Sequence, residues 1–190
     1  MKPSRSLGLL YCHIALLLWQ KRGVFMGSTF KVINLKTVSR FIVSVLIPLA
    51  VGGLAGFLTQ NSREFYAALQ KPPLSPPGYF FPIIWTVLYI LIGIASFLVS
   101  QKGLEKDYVQ DALKYYAISL LLSFIWPLVF FRFEMLFAAF WVLVLLWLFT
   151  GIATAKFYRI SRPAGILMLP YWLWITFAGY LNLATWLLNR

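Results

Sequence analysis

Charged residues are scarce in this chain: Asp, Glu, Lys and Arg make up 12% of its 190 residues, while 61% are hydrophobic. Soluble globular domains carry about 25% charged residues, so the composition excludes a soluble fold. The apolar runs are about 20 residues long, the length of a helix that crosses a membrane. A transmembrane barrel is excluded as well, because its strands alternate apolar and polar residues and these runs are apolar throughout.

Cysteine and histidine are almost absent, with one residue of each type, Cys12 and His13. A single cysteine excludes an intrachain disulfide and a thiolate metal cluster. The neighbouring Cys and His could form a nucleophile or part of a metal site, but the sequence offers no second cluster of ligands. We therefore predict no catalytic residue and no metal site.

Charged residues are also missing from the middle of every apolar run, which argues against a proton pump, a voltage sensor or an ion transporter with a buried carboxylate. The sequence has no phosphate-binding loop, no Ser-His-Asp set and no internal repeat. The net charge of +12 is spread over the links between runs rather than clustered. A nucleic-acid partner is therefore not predicted.

Five membrane-spanning helices are predicted, at residues 41–58, 79–100, 113–131, 135–157 and 164–188. Pro127 lies inside the third span and is expected to kink it. Gly52 and Gly56 lie four residues apart in the first span, on one helix face, where small residues allow a neighbouring helix to approach closely. The predicted fold is an all-α membrane protein, a five-helix bundle in which both glycines serve helix packing.

The first 37 residues are predicted to be an N-terminal extension, and residues 38–190 the membrane domain. Residues 7–19 are apolar but short for a span, and no signal-peptide cleavage site follows them. Met26 begins a sequence that would be an ordinary start. We interpret residues 1–25 as an interfacial extension or the product of an upstream start codon.

Lysine and arginine are divided unequally between the two sides of the predicted bundle, with 13 on the side of the N-terminus and four on the other. The positive-inside rule then predicts a cytoplasmic N-terminus and a C-terminus outside. We expect an integral protein of the bacterial cell membrane.

The proline segment, residues 71–82, contains five prolines: Pro72, Pro73, Pro76, Pro77 and Pro82. Each proline fixes φ, lacks an N–H donor and pushes the preceding residue towards extended geometry. Residues 71–77 therefore cannot be helical. We predict a rigid first loop that caps a pocket between the spans.

Aromatic residues make up 18% of the chain. Trp85, Trp126 and Trp174 each lie several residues inside a span, where an indole ring offers a flat face and a single N–H donor. The three rings are predicted to line a pocket for a large, flat, mostly apolar ligand. Ordinary core packing explains the same three positions equally well.

Residues 65–89, FYAALQKPPLSPPGYFFPIIWTVLY, resemble the signature of the TspO/MBR family, which includes translocator proteins and tryptophan-rich sensory proteins. Residues 123–131, SFIWPLVFF, and residues 170–182, PYWLWITFAGYLN, are similar to the family's third-helix and fifth-helix patterns. The resemblance implies a five-helix bundle, commonly a homodimer in membrane lipid. The resemblance also implies binding of porphyrins, haem and, in some members of the family, sterols and benzodiazepine-type drugs.

Carried over position by position, the resemblance implies a set of residues that line or shape the ligand cavity. It requires no obligatory cofactor, since porphyrin or haem would be the ligand itself. The residues implied are Tyr66, Pro72, Leu74, Pro76, Pro77, Trp85, Tyr89, Ser123, Trp126, Trp174, Phe177, Ala178 and Asn182.

The chain departs from the family pattern at several positions. Leu74 replaces a tryptophan linked to light-driven porphyrin breakdown, Ser123 replaces an asparagine, and Trp141 stands at an acidic position. Leu183 and Leu187 stand where a sterol motif would need Tyr and Arg, so sterol dependence is not predicted.

We expect a membrane receptor for tetrapyrroles. The alternatives are a porphyrin-degrading photo-oxidative enzyme, a transporter of porphyrin-like molecules, and a regulatory partner of other membrane proteins.

Overall fold

The computed structural model describes residues 35–190, in which helices alternate with turns and no β-strand occurs. Cys12, His13, Met26 and the apolar run 7–19 lie outside the described residues. Residues 1–38 and residues 39–190 form two separate units. The description below concerns the second unit and the helix that leads into it.

Five of the described helices are long and apolar enough to cross a membrane, which confirms the predicted all-α bundle. A sixth helix is short and precedes the proline segment. The helices are α1 (Leu35–Leu58), α2 (Arg63–Ala68), α3 (Phe80–Ser100), α4 (Asp107–Pro127), α5 (Leu136–Ile160) and α6 (Arg162–Leu188).

Both ends of α4 differ from the sequence-based prediction. The helix begins at Asp107 rather than near residue 113, because the polar link DYVQDALK continues it without interruption. At its other end, Pro127 cannot donate a backbone hydrogen bond, and a wider π-helical segment, Leu128–Arg132, follows it. The turn into α5 then passes through Glu134, whose φ is 58°.

The core lies among α3, α4, α5 and α6. Within this group α5 packs against α4 and α6, and α3 packs against α6. Lipid is itself apolar, so these contacts depend on close packing rather than on a hydrophobic driving force. Small side chains that are completely buried allow the helices to approach: Ala95, Ala112, Ala139, Ala153 and Ala164.

Helix α1 is packed much less extensively, and Pro48 and Ala55 are its only buried residues. It meets α3 at Gly93, where an added Cβ would lie 2.8 Å from Val45 Cα and 2.9 Å from the Ser44 carbonyl oxygen. Gly93 was not among the predicted packing positions.

The two predicted packing glycines of α1 have different surroundings. Gly52 lies directly against the ring of Tyr89, which an added Cβ would strike, whereas Gly56 has nothing within 4 Å of its would-be Cβ. A closer helix contact occurs at Gly165, where a Cβ would lie 2.6 Å from the Tyr158 Cα. The structure thus gives Gly52 a packing contact and leaves open space at Gly56.

Candidate ligand-binding cavity

A cavity of about 930 Å³ lies between α1, α3 and α4 and extends to the proline segment. This volume lies within the range of about 300–1,000 Å³ that is usual for small-molecule sites. Helix α1 lines the cavity with Leu49 and with four small residues, Gly52, Gly53, Ala55 and Gly56. Because these four residues have small side chains or none, the α1 wall leaves room that larger residues would fill.

Aromatic rings form the opposite wall. The indoles of Trp85 and Trp126 are stacked, with ring centroids 5.8 Å apart and an angle of 28° between their planes. The Trp85 ring also lies 5.6 Å from that of Tyr89. Tyr66 and Phe131, with centroids 5.8 Å apart, continue this wall towards the proline segment. The rings are inclined to one another, so the wall offers several aromatic faces and edges against which a planar ligand could pack.

The end of the cavity farthest from the proline segment, the deep end, carries a pair of hydroxyl groups. Tyr89 Oη and Ser123 Oγ are 2.6 Å apart and buried, and either group can be the donor. Only one proton is needed between two hydroxyls, so the pair keeps one donor and further lone pairs for other partners. The deep end is therefore polar at one point but uncharged.

Asn182 fixes the orientation of Trp126 from behind the aromatic wall. The Trp126 Nε1–H donates to Asn182 Oδ1 at 3.0 Å, and Asn182 Nδ2 donates to the Leu136 carbonyl oxygen at 2.8 Å. One buried amide therefore joins α4, α5 and α6. Asn182 was predicted to line or shape the cavity, and its contacts show that it acts on the shape through Trp126.

The end of the cavity next to the proline segment, the loop end, is lined by Lys71, Gly78 and Tyr79. The prolines at positions 72, 73, 76 and 77 do not line it. Leu74 is 79% exposed and has a φ of 68°, a left-handed conformation that is unusual for leucine. The segment thus borders the cavity with its two ends, and Leu74 lies outside it.

Helix α6 holds the proline segment at two places. Asn189 accepts a hydrogen bond from the Gln70 N–H at 2.9 Å and donates one to the Gln70 carbonyl oxygen, also at 2.9 Å. The Tyr180 hydroxyl donates to the Pro73 carbonyl oxygen at 3.2 Å. Pro72, between these two attachments, is buried. Neither Asn189 nor Tyr180 was predicted to have this role.

Five predicted site residues line the cavity: Tyr66, Trp85, Tyr89, Ser123 and Trp126. The other eight do not: Pro72, Leu74, Pro76, Pro77, Trp174, Phe177, Ala178 and Asn182.

The three tryptophans that were expected to converge are therefore divided. Trp174 lies 6.1 Å from the ring of Phe81, which lines the cavity, and 5.5 Å from the ring of Phe177. It supports the aromatic wall rather than forming part of it. The sequence did carry a signal for Phe81, since it lies four residues before Trp85 on the same helix face.

Electrostatically, the cavity is neutral except at the loop end. Burial raises the pKa of the Tyr66 phenol above its ordinary value of 10.0, so this hydroxyl stays protonated at physiological pH. The Lys71 ammonium lies over the Tyr66 ring, 4.6 Å from its centroid. Within residues 35–190, no group of His, Cys, Asp and Glu side chains could hold a metal ion.

Comparison with known proteins identifies relatives that share this whole region. The model of the TspO/MBR family matches residues 44–187. The tryptophan-rich protein TspO of Chlorobaculum tepidum is 37% identical over 139 residues, which cover 72% of this chain and 88% of the relative.

Two further relatives come from a bacterium and a mammal. Protein CrtK of Rhodobacter capsulatus is 34% identical over 125 residues, 66% of this chain and 78% of CrtK. The translocator protein of Bos taurus is 36% identical over 152 residues, 76% of this chain and 87% of the relative. With its five apolar helices and a family match from α1 to α6, the chain is an integral membrane protein that belongs to the TspO/MBR family.

Proposed function

We propose that the protein is a membrane receptor that binds tetrapyrroles, such as porphyrin or haem, or similarly flat apolar molecules. The stacked pair Trp85–Trp126, which lines a cavity of about 930 Å³, carries this proposal. In the proposed complex the ligand plane lies between these indoles and the glycine-rich face of α1.

The chemistry of the two walls supports a planar apolar ligand. Stacking on an aromatic ring contributes about 0.5–1.5 kcal/mol beyond the burial of apolar area. The α1 wall can come close to the second face of the ligand because Gly53 and Gly56 have no side chains. The Tyr89–Ser123 hydroxyl pair can donate a hydrogen bond to one acceptor on the ligand.

The proline segment is proposed to cover the loop end while a ligand is bound. Its attachments to Asn189 and Tyr180 support this role, because they restrict the segment without filling the cavity.

We further propose a homodimer in the bacterial cell membrane with a cytoplasmic N-terminus. Cysteines introduced at Lys71 and Lys102 test the orientation: an impermeant thiol reagent added to intact cells should label the first and not the second.

Titration of protoporphyrin IX into the detergent-solubilised protein tests binding directly. We expect Trp85→Leu and Trp126→Leu each to raise Kd roughly fivefold, the equivalent of about 1 kcal/mol of lost stacking. Ligand absorbance is the appropriate readout, because these variants also remove a fluorescent reporter. Trp141→Leu is the matched control, since Trp141 is 54% exposed on α5 and does not line the cavity.

Equal affinities of the wild type and both cavity variants would refute this location of the site. A uniform loss in all three variants would indicate general destabilisation, which thermal melting of the same samples would detect.

A further inference from the structure

Lys71 is the one charged residue among the described residues that line the cavity. The remaining lining consists of aromatic, aliphatic, small and uncharged polar side chains. None of the Asp and Glu side chains in the described part of the chain forms an ion pair with the Lys71 ammonium. A cation without an anionic partner therefore lies at the loop end of an otherwise neutral cavity.

Two sets of contacts hold this cation in place. Its Nζ lies 4.6 Å from the ring centroid of Tyr66, and that ring packs against Phe81 at 6.3 Å and Phe131 at 5.8 Å. A cation over an aromatic face is attracted by the electron-rich ring.

The backbone on both sides of Lys71 is also restrained. The preceding residue, Gln70, exchanges two hydrogen bonds with the Asn189 side chain, and the following residue, Pro72, is buried. The backbone at Lys71 therefore has little conformational freedom to lose when an anion binds.

We propose that Lys71 recognises a carboxylate group of the ligand, so that the cavity prefers a flat apolar acid to its neutral counterpart. This inference rests on the proposed function and specifies its substrate class. The carboxylate would lie at the loop end, beside Lys71, while the apolar rings stack on Trp85 and Trp126.

The opposite orientation is unfavourable for a physical reason. The deep end offers a carboxylate one hydroxyl pair, Tyr89 and Ser123, and no cation. Burying an unpaired charge there would require desolvation that a single hydrogen bond does not offset. Beside Lys71 the carboxylate keeps contact with water and gains a charge-assisted hydrogen bond. One lysine thus determines which end of the ligand enters first.

A comparison of protoporphyrin IX with its dimethyl ester tests the inference, because the two differ only at the carboxylates. Measurements in an uncharged detergent without phospholipid remove competing headgroups. We expect the wild type to bind the acid about fivefold more tightly than the ester, a modest preference appropriate to an exposed charge pair. Lys71→Gln should abolish the preference, and Lys71→Arg should retain it.

Lys102→Gln is the matched control, because Lys102 is an exposed lysine in the link after α3, at the far end of that helix from Lys71. It should behave as the wild type. Thermal melting of Lys71→Gln in the same detergent shows whether the variant is folded. Added salt should weaken the preference of the wild type, because the charges are accessible to solvent.

Equal affinities of the wild type for acid and ester, or an unchanged preference in Lys71→Gln, would overturn the inference and leave tetrapyrrole binding intact. If the wild type bound neither compound, the proposed function would fail and the inference with it. A Lys71→Gln effect seen only on the binding of phosphatidylglycerol would assign the lysine to a lipid headgroup instead.

Discussion

The two sides of this bundle are built on different principles. On one side, α4, α5 and α6 pack closely and bury residues along their whole lengths, among them Leu143, Leu146 and Ile175. On the other side, α1 buries Pro48 and Ala55 alone and turns a glycine-rich face towards the cavity. The packed side maintains the fold, and the loosely packed side contains the cavity in which we propose that a ligand binds.

Trp126 connects the two sides. One part of its ring lines the cavity and stacks on Trp85, while its N–H points into the packed side and reaches Asn182. The aromatic wall is therefore fixed by the rigid part of the bundle. The α1 residues that line the cavity have no polar side chain that could form such an anchor. A ligand that changes the width of the cavity would thus displace α1 more readily than the aromatic wall.

The largest effect is expected from a large side chain on the packed side. At Gly165 an added Cβ would lie 2.6 Å from the Tyr158 Cα, where neither helix can yield without separating. We expect Gly165→Leu to lower the free energy of unfolding by about 3 kcal/mol or more. Gly56→Leu, whose site is open, should leave stability nearly unchanged. Thermal melting in detergent distinguishes the two, and equal losses would contradict the contrast between the two sides.

The next effect comes from the buried amide that joins the packed helices. Asn182→Ala leaves the Trp126 N–H and the Leu136 carbonyl oxygen without partners, which should cost about 2 kcal/mol. Asn189→Ala is the control, because its hydrogen bonds to Gln70 are exposed to solvent. If Asn182→Ala melted like the wild type, water would have to satisfy the indole, and the anchoring role of Asn182 would be lost.

A smaller effect, on binding rather than stability, should distinguish substitutions at two adjacent glycines of α1. A methyl group at Gly52 strikes the Tyr89 ring, so that ring must shift and its hydrogen bond to Ser123 is strained. We expect Gly52→Ala to weaken porphyrin binding roughly tenfold, the equivalent of about 1.4 kcal/mol. Gly53→Ala adds the same methyl group where nothing lies within 4 Å. Equal affinities of the two variants would show that Tyr89 does not shape the site.

The smallest effect concerns pH. Burial raises the pKa of Tyr66 above 10.0, so the folded protein favours the neutral phenol. Its contribution to stability is complete below the pKa of the unfolded state and is lost as the pH rises through the higher folded value. A titration of phenolate absorbance above pH 10.0 should therefore have a smaller amplitude in Tyr66→Phe, by the contribution of one tyrosine. An unchanged amplitude above pH 10.0 in this variant would contradict the raised pKa of Tyr66.

Much of the fold could be predicted, because hydropathy and proline act locally. The length of an apolar run identifies a membrane helix, and five prolines exclude a helix at the start of residues 71–82 whatever surrounds them. The position of a helix start was harder to predict. The polar residues after Asp107 are compatible with both a link and a helix, and packing against neighbouring helices decides between them.

The site was only partly predictable, because helix rotation is not encoded in a uniformly apolar sequence. Trp85 and Trp174 are both several residues inside a span, yet one lines the cavity and the other packs against Phe81. A helix that is apolar on every face gives no periodic signal for the side that faces a cavity. Gly93 is likewise a single small residue in a long apolar run, and its importance depends on a partner helix.

The hydrogen bonds between Gln70 and Asn189 join positions 119 residues apart in the chain. We therefore expect a substitution at Asn189, the residue after the end of α6, to alter how fast the proposed ligand exchanges, although Asn189 does not line the cavity. In a mutational scan, Asn189 would be classed as a distant hit, and a search for a second binding site there would be misdirected. Asn189 would instead act indirectly, through its hydrogen bonds to the backbone that precedes the proline segment.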